Sequence, residues 1–489
     1  MNLPVSNFPI NWIGTPGAHQ VFGVERALEK NEFAFLWEPG AGKTYGVVHV
    51  AKTRFRMGQL DLVIVICPNS IKQVWPAEFA KWAPDTQVEV KLPKTKDALK
   101  RPNQDTLEVV VIAIESLSQG GTYNKIMAYL KGRRAMVVCD ESSRIKNPAS
   151  IRTKNATNIA WSAWYRLILT GTPVLQGPHD LFAQFRFLNP EIIGITKWAA
   201  FKARYCIIGG FENRQIIGHH NIDDLINRIK PYAQMVRLQD CVDIPHKIYQ
   251  KIPVQLSDEQ RGYIRQLKDE GTLVLENLGT ELYVEMALER MTRIQQIVGG
   301  SIPMWDEESG KYKTIPLQGK IPKLEAMLDY IENGAEGHKY LVWARFTPER
   351  DRICAALSEK YGPESVVRFD GEVKDEELRK QAVWRLQNDP KCLFFVGNQA
   401  VAGIGLTLTA ATTALNYSNT FSAEDRIQME NRNHRTGQTN HCVYVDFEAM
   451  VKEDRMITRA LALKQDLSEY VKASMQRGQD RDADMEGYE

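Results

Sequence analysis

Between Phe33 and about Phe187, short apolar runs alternate with stretches whose apolar residues recur at helical spacing. The runs are Phe33-Ala-Phe-Leu-Trp37, Leu62-Val-Ile-Val-Ile-Cys67, Val109-Val-Val-Ile-Ala-Ile114, Met136-Val-Val-Cys139 and Leu167-Ile-Leu169. Near-continuous apolar strands separated by helices predict a parallel sheet buried on both faces. From Lys320 the pattern resumes with Tyr340-Leu-Val-Trp-Ala344, Ser365-Val-Val-Arg-Phe369, Cys392-Leu-Phe-Phe-Val396, Thr413-Ala-Leu-Asn-Tyr417 and Cys442-Val-Tyr-Val-Asp-Phe447. The expected fold class is therefore α/β, two parallel-sheet lobes in tandem with helical insertions. The first lobe is expected over residues 1–237 with an insertion at about 175–237, and the second over 238–475 with an insertion at about 255–318. Helical spacing is clearest from Asp258 to Lys268 and from Leu282 to Val298. Residues 476–489 are rich in Asp, Arg and Gly with little to bury, so a disordered tail is expected there. No internal repeat is visible.

The length fits this division, since 489 residues exceed one core and suit two domains of ordinary size. A formal charge of +2 excludes a strongly basic coat, so contact with nucleic acid must come from a local surface. Lys91 to Arg101 and Lys131 to Arg134 are candidates, and each reads equally well as a solvated face. The seven cysteines (67, 139, 206, 241, 354, 392 and 442) form no C-x-x-C pair and fit reduced core residues of a cytosolic protein. Neither a basic leader followed by an apolar stretch nor an apolar run of the ~20 residues that span a bilayer occurs, which argues against secretion and membrane insertion. The expected location is the cytoplasm.

Glu38-Pro39-Gly40-Ala41-Gly42-Lys43-Thr44 follows an expected strand and opens an expected helix. Glycines let backbone N–H groups approach phosphates, a helix N-terminus favours anions, Lys43 can reach the β/γ-phosphates, and the Thr44 hydroxyl can ligate Mg²⁺. The longer phosphate-loop pattern has Gly six residues before the Lys, where this chain has Trp37, and alone the string also fits an ordinary Gly-rich turn. Asp140-Glu141 ends the expected strand Met136 to Cys139. Adjacent acids there fit a helix N-terminal charge pair, but after a phosphate loop they also fit a Mg²⁺ ligand (Asp140) beside a general base (Glu141). Further on, Ser422-Ala-Glu-Asp425 reads as a capping box, so a helix is expected to run through Gln428, Arg432 and Arg435. Spacings of four and three would put these three side chains on one face, either solvated or aimed at phosphate charge.

Taken in order, Gln20, Gly40 to Thr44, Cys67-Pro-Asn-Ser70 with Trp75 and Trp82, Asp140-Glu-Ser-Ser-Arg-Ile-Lys-Asn147, Leu169-Thr-Gly-Thr-Pro173, Phe369-Asp-Gly371, Gly403-Ile-Gly-Leu406 and Gln428 to Gln438 resemble superfamily 2 helicase-like ATPases. Within that superfamily the chain is similar to the Swi/Snf-type double-stranded-DNA translocases, from about His19 to Lys464. The resemblance implies two RecA-like lobes that close on ATP and Mg²⁺. It implies that Gln20 reads adenine, that Gly40, Ala41, Gly42, Lys43, Thr44, Gly403 and Gly405 surround the nucleotide, and that Thr44 and Asp140 hold the metal. Arg432 and Arg435 would contact the γ-phosphate, and Thr170, Thr172 and Gln428 would couple the site to DNA. Pro68, Ser70, Ser116, Arg345 and Thr407 lie in or near segments that track the DNA backbone in the family. Ser143 stands where the family usually has His, and Thr407 where Asn is common.

The expected activity is ATP-dependent translocation on double-stranded DNA. A strand-separating or branch-migrating helicase, acting on single-stranded or branched DNA, is the alternative. No long aromatic hairpin is evident beyond the insertions, nor is a nuclease acid cluster or a chromatin-reading appendage, so the chain resembles a minimal motor core of the kind a phage or mobile element encodes. In that case its location would be the host cytoplasm, and a monomer is expected.

Overall fold

The computed structural model describes residues 7–93, 99–102, 105–210, 214–241, 243–276, 280–306, 310–373, 375–399 and 406–476. The chain divides into two compact units, residues 1–243 together with 464–489, and residues 244–463.

The first unit is built on seven strands: β1 (Glu32–Trp37), β2 (Leu62–Cys67), β3 (Val88–Lys91), β4 (Leu107–Ala113), β5 (Ala135–Asp140), β6 (Tyr165–Leu169) and, after a hairpin of β7 (Cys206–Gly209) and β8 (Gln215–His219), β9 (Ala233–Val236). Their spatial order is β3-β4-β2-β5-β6-β1-β9, and every pair is parallel. Strands β2 and β5 are buried at every position, as expected of strands covered on both faces. The core also takes in Val471 and Met475, so residues far along the chain complete the first unit.

The second unit contains β10 (Lys247–Val254), the hairpin β11 (Ser301–Asp306) and β12 (Lys311–Pro316), β13 (Tyr340–Trp343), β14 (Val366–Phe369), β15 (Phe394–Gly397), β16 (Thr413–Asn416) and β17 (Cys442–Ala449). Six of them form a parallel sheet in the order β10-β17-β16-β13-β15-β14. Period-two alternation splits its side chains between two cores: Leu341, Trp343 and Phe395 pack on one face, and Tyr340, Val342, Phe394 and Val396 on the other.

Every apolar run read as a strand is a strand, within two residues at either end. The insertions are less purely helical than expected. Residues 175–237 hold helices but also the β7–β8 hairpin and β9, a member of the main sheet. Residues 255–318 hold the helices Asp258–Glu276 and Thr280–Val298, and then the antiparallel β11–β12 hairpin, in which Trp305 pairs in register with Tyr312. The basic clusters are partly structural too: Lys91 and Arg133 both bond the buried Glu108, at 2.7 and 3.1 Å. Among the described residues no helix is long and apolar enough to cross a membrane. The tail expected at 476–489 lies, from 477 on, outside the described residues.

Candidate active site

Strand β6 lies between β1 and β5. The segments leaving the C-terminal ends of these three neighbours are Glu38 to Thr44, Thr170 to Pro173, and Asp140-Glu141. The sheet thus brings the phosphate-loop glycines, the paired acids and the threonines together at the edge where open α/β sheets bind ligands.

The loop after β1 needs its glycines. Gly40 and Gly42 have φ of +94° and +86°, and Gly42 caps the helix Lys43–Arg56 in the left-handed conformation. A Cβ on Gly42 would fall onto the Gln20 amide, which braces the loop from the side. Gln20 Nε2 donates to Ala41 O at 3.2 Å, His19 Nε2 bonds the same carbonyl at 2.9 Å, and Gln20 Oε1 accepts from Gly17 N–H at 2.9 Å. Lys43 Nζ donates to Trp37 O at 2.8 Å. Trp37 itself is fully buried, its indole N–H on Gln234 Oε1 at 3.0 Å, so it packs beneath the loop rather than acting in chemistry. Glu38 is held from two directions, by Leu238 N–H at 3.0 Å and Lys472 Nζ at 2.8 Å.

Asp140 is buried at the end of β5 and accepts from Glu141 N–H at 3.0 Å. Burial, then the neighbouring Glu141 charge, pushes its carboxyl up to about 7, against the opposing pull of Lys43. Glu141 is half-buried and has φ +51° and ψ 56°, a left-handed conformation that costs a residue other than glycine on the order of 1 kcal/mol or more. Such strain persists where the surroundings fix it, and here it turns the second acid away from the strand direction.

The loop after β6 touches the phosphate loop directly. A Cβ on Gly171 would come within 2.6 Å of Pro39 Cδ, so only glycine permits the approach. Thr170 and Thr172 are buried, and Thr172 N–H donates to Thr170 Oγ1 at 3.0 Å. A residue that sequence reasoning missed joins this loop to the acids: Gln184 Oε1 accepts from Ser142 Oγ at 2.7 Å, and its Nε2 donates to Pro173 O at 2.8 Å. Its signal was a lone amide in the apolar string Leu181-Phe-Ala-Gln-Phe-Arg-Phe-Leu188.

Pro68 and Ser70 follow β2 and Ser116 follows β4, the next two strands along the same sheet edge. Ser70 is exposed, and Ser116 Oγ donates to Ala113 O at 2.6 Å. In the second unit Thr407 is exposed, while Arg345 is tied to Gln295 Oε1 at 2.7 Å and lies 4.5 Å over the Phe421 ring. Gly403 and Gly405 lie outside the described residues.

The expected arginine face is corrected by the structure. Ser422 does cap its helix, accepting from Asp425 N–H at 3.1 Å, but the helix spans only Ala423–Glu430. Gln428 is on it, with Nε2 on Glu424 Oε1 at 3.3 Å, whereas Arg432 and Arg435 follow in turns, so helical spacing does not relate the three. Tertiary hydrogen bonds hold the chain there. Buried Asn433 accepts from Tyr444 Oη at 2.9 Å and donates to Ala411 O at 3.3 Å, and Gly437 turns with φ +97°. Arg435 Nη1 donates to Leu406 O at 3.0 Å. The arginine most deeply built into this segment is Arg426, fully buried between Glu430 (2.8 Å) and Asp446 (2.6 Å).

The SNF2-related domain model matches residues 25–299, more than half of the chain. The chain belongs to the SNF2-related domain family. The helicase conserved C-terminal domain matches residues 320–437 of this SNF2-family chain. Among curated relatives, Protein CHROMATIN REMODELING 4 of Arabidopsis thaliana is 24% identical over 427 residues, covering 82% of this chain and 18% of its own length. DNA annealing helicase and endonuclease ZRANB3 of Homo sapiens is 25% identical over 426 residues, covering 85% of this chain and 36% of its own. The chain therefore spans well under half of either relative. The solved Sulfolobus solfataricus SWI2/SNF2 ATPase core in complex with dsDNA is 21% identical and covers 97% of both chains, with a TM-score of 0.43. SNF2-related family membership implies use of a nucleotide, and the loop around Gly40 to Thr44 has the backbone geometry to take its phosphates.

Proposed function

We propose that this SNF2-family chain hydrolyses ATP to translocate along double-stranded DNA. The observation that carries the reading is the joining of three loops at adjacent strand ends: a phosphate loop with two left-handed glycines, a buried acid beside a strained one, and the Thr170 to Pro173 loop in contact with Pro39. Lys43 meets the β/γ-phosphates and Gln20 the adenine edge. Glu141 orients the attacking water and takes its proton, while the γ-phosphoryl leaves ADP for the water oxygen.

Two adjacent carboxylates with Lys43 as the offsetting cation suit a hard divalent ion shared with phosphate oxygens, so Thr44 and Asp140 would hold Mg²⁺. When bound, that ion neutralises phosphate charge. Arg432 and Arg435 stabilise charge on the transferring phosphoryl group, with Gly403 and Gly405 contributing backbone near the nucleotide. Thr170, Thr172 and Gln428 relay the site's state to DNA, gripped through Pro68, Ser70, Ser116, Arg345 and Thr407. The protein acts as a monomer in the cytoplasm.

ATPase rates without nucleic acid and with duplex, single strands or RNA test the reading, together with displacement of a triplex-forming third strand. Duplex should stimulate most, third-strand displacement should require ATP, and both should fall steeply with salt because phosphate contacts dominate. A strand-separating helicase is the second reading, favoured by the antiparallel β11–β12 hairpin inserted in the second unit. Robust unwinding of forked DNA, with single strands stimulating as well as duplex, would establish it instead.

A further inference from the structure

Gln184 sits in the helix Leu181–Leu188, where Leu181, Phe182, Ala183, Phe185, Phe187 and Leu188 are all buried. An amide buried in apolar surroundings is destabilising unless it is hydrogen-bonded. This one has no exposed surface, and its bonds account for both of its ends. Oε1 accepts from Ser142 Oγ at 2.7 Å, and Nε2 donates to Pro173 O at 2.8 Å and to Asp180 O at 2.9 Å. The Asp180 bond lies within one turn of chain, but the other two reach outward.

Their destinations matter. Ser142 directly follows Glu141, and Pro173 closes the loop that holds Thr170 and Thr172. Asp180, whose carboxylate accepts from Leu175 N–H and Gln176 N–H, both at 2.8 Å, fixes the exit of that same loop. A side-chain network fully satisfied in a dry interior is stiff, so displacement at one end is felt at the other. Glu141 stands at one end in its left-handed conformation, which a shift of Ser142 would relax. The hydroxyl that reaches Gln184 belongs to Ser142, the residue before Ser143.

Building on the proposed function, we propose that Gln184 is a positioning residue that couples the Thr170 to Pro173 loop to Glu141, so that duplex engagement sets the geometry of the base through one buried amide. The role is distinct from catalysis, since Gln184 touches no reacting atom, and from simple stabilisation, since it acts on turnover.

The test uses the full chain with Ser142→Ala, Gln184→Met and the double variant, measuring kcat and KM for ATP with and without saturating linear duplex, alongside Tm. Each single variant should lower duplex-stimulated kcat about ten-fold with KM within about two-fold, and the double should be no worse than either single. Parental duplex stimulation in variants with parental Tm, or losses that multiply in the double, would overturn the coupling while leaving the translocase reading intact. If Gln184→Met loses its fold, Ser142→Ala, which removes a single oxygen, decides the matter by the same kcat criterion. A parent chain that duplex fails to stimulate overturns the translocase reading and the coupling together.

Discussion

The two units carry their candidate chemistry in different ways. In the first, each functional segment begins where a strand stops, and backbone conformation shapes it: Gly40 and Gly42 at positive φ, Glu141 in the left-handed region, and Gly171 letting its loop close on Pro39. In the second, the arginine segment follows a short helix and is held by groups elsewhere in the sequence: Tyr444 Oη and the Ala411 carbonyl on Asn433, and the Asp446 carboxylate on Arg426. A site shaped by backbone conformation is most sensitive to changes within its own loops. A design built on a buried polar network fails when a residue without any chemical role is removed.

Lys43→Ala should have the largest effect. Removing the charge that meets the β/γ-phosphates should cut hydrolysis by more than about 10⁴-fold and weaken nucleotide binding, read by steady-state ATPase and fluorescent-nucleotide titration. Glu141→Gln should lower kcat by about 10³-fold yet retain ATP and duplex binding, because only the base is lost. Equal loss of ATP affinity in both variants would break the division of roles drawn for the first unit. For the second unit, Arg435→Ala should reduce kcat by about 10³-fold with KM and Tm little changed, as for a contact made in the transition state. Turnover within a few-fold of the parent would move the role to Arg432.

Arg426→Ala should instead act on the fold. It leaves buried Asp446 without its cation and Glu430 with Lys247 alone, so a loss of about 3–5 kcal/mol is expected in denaturant unfolding, with activity falling only as the second unit unfolds. The smallest effect is expected from Trp37→Phe, which removes the bond to Gln234 Oε1 at a cost of about 1–3 kcal/mol. Its kcat should match the parent's, and a change larger than its Tm shift accounts for would give Trp37 a part in the chemistry.

Much of the fold was legible because its strands are apolar on both faces and its functional loops sit at their ends, both being short-range patterns. The strands that escaped notice lie at sheet margins or are very short. Lys247–Val254 is an edge strand exposed at most positions, and Ala233–Val236 has four residues inside a helix-rich stretch. The helix through Arg435 was misread for a different reason. The capping box drew attention to the start of the helix, whereas its stop at Asn431 is followed by a segment in which Asn433 is held by Tyr444 Oη and the Ala411 carbonyl, partners that helical spacing does not reveal. Gln184 was visible as an oddity, but its partners Ser142 and Pro173 come from two other loops, so only the folded chain gives it meaning.

The joining of residues 464–476 to the first unit bears on how the protein is made. Val471 and Met475 complete a core begun before residue 40, and Lys472 supplies the cation that meets Glu38 at the mouth of the phosphate loop. On a ribosome adding ~5–20 residues per second, the roughly 220 residues of the second unit separate the first unit's two parts by on the order of 10–40 s. Through that interval the nascent first unit carries an unsealed apolar surface and a carboxylate awaiting Lys472. The phosphate loop, among the earliest segments of the first unit to be synthesised, thus gains its last described partner only once residue 472 has been made.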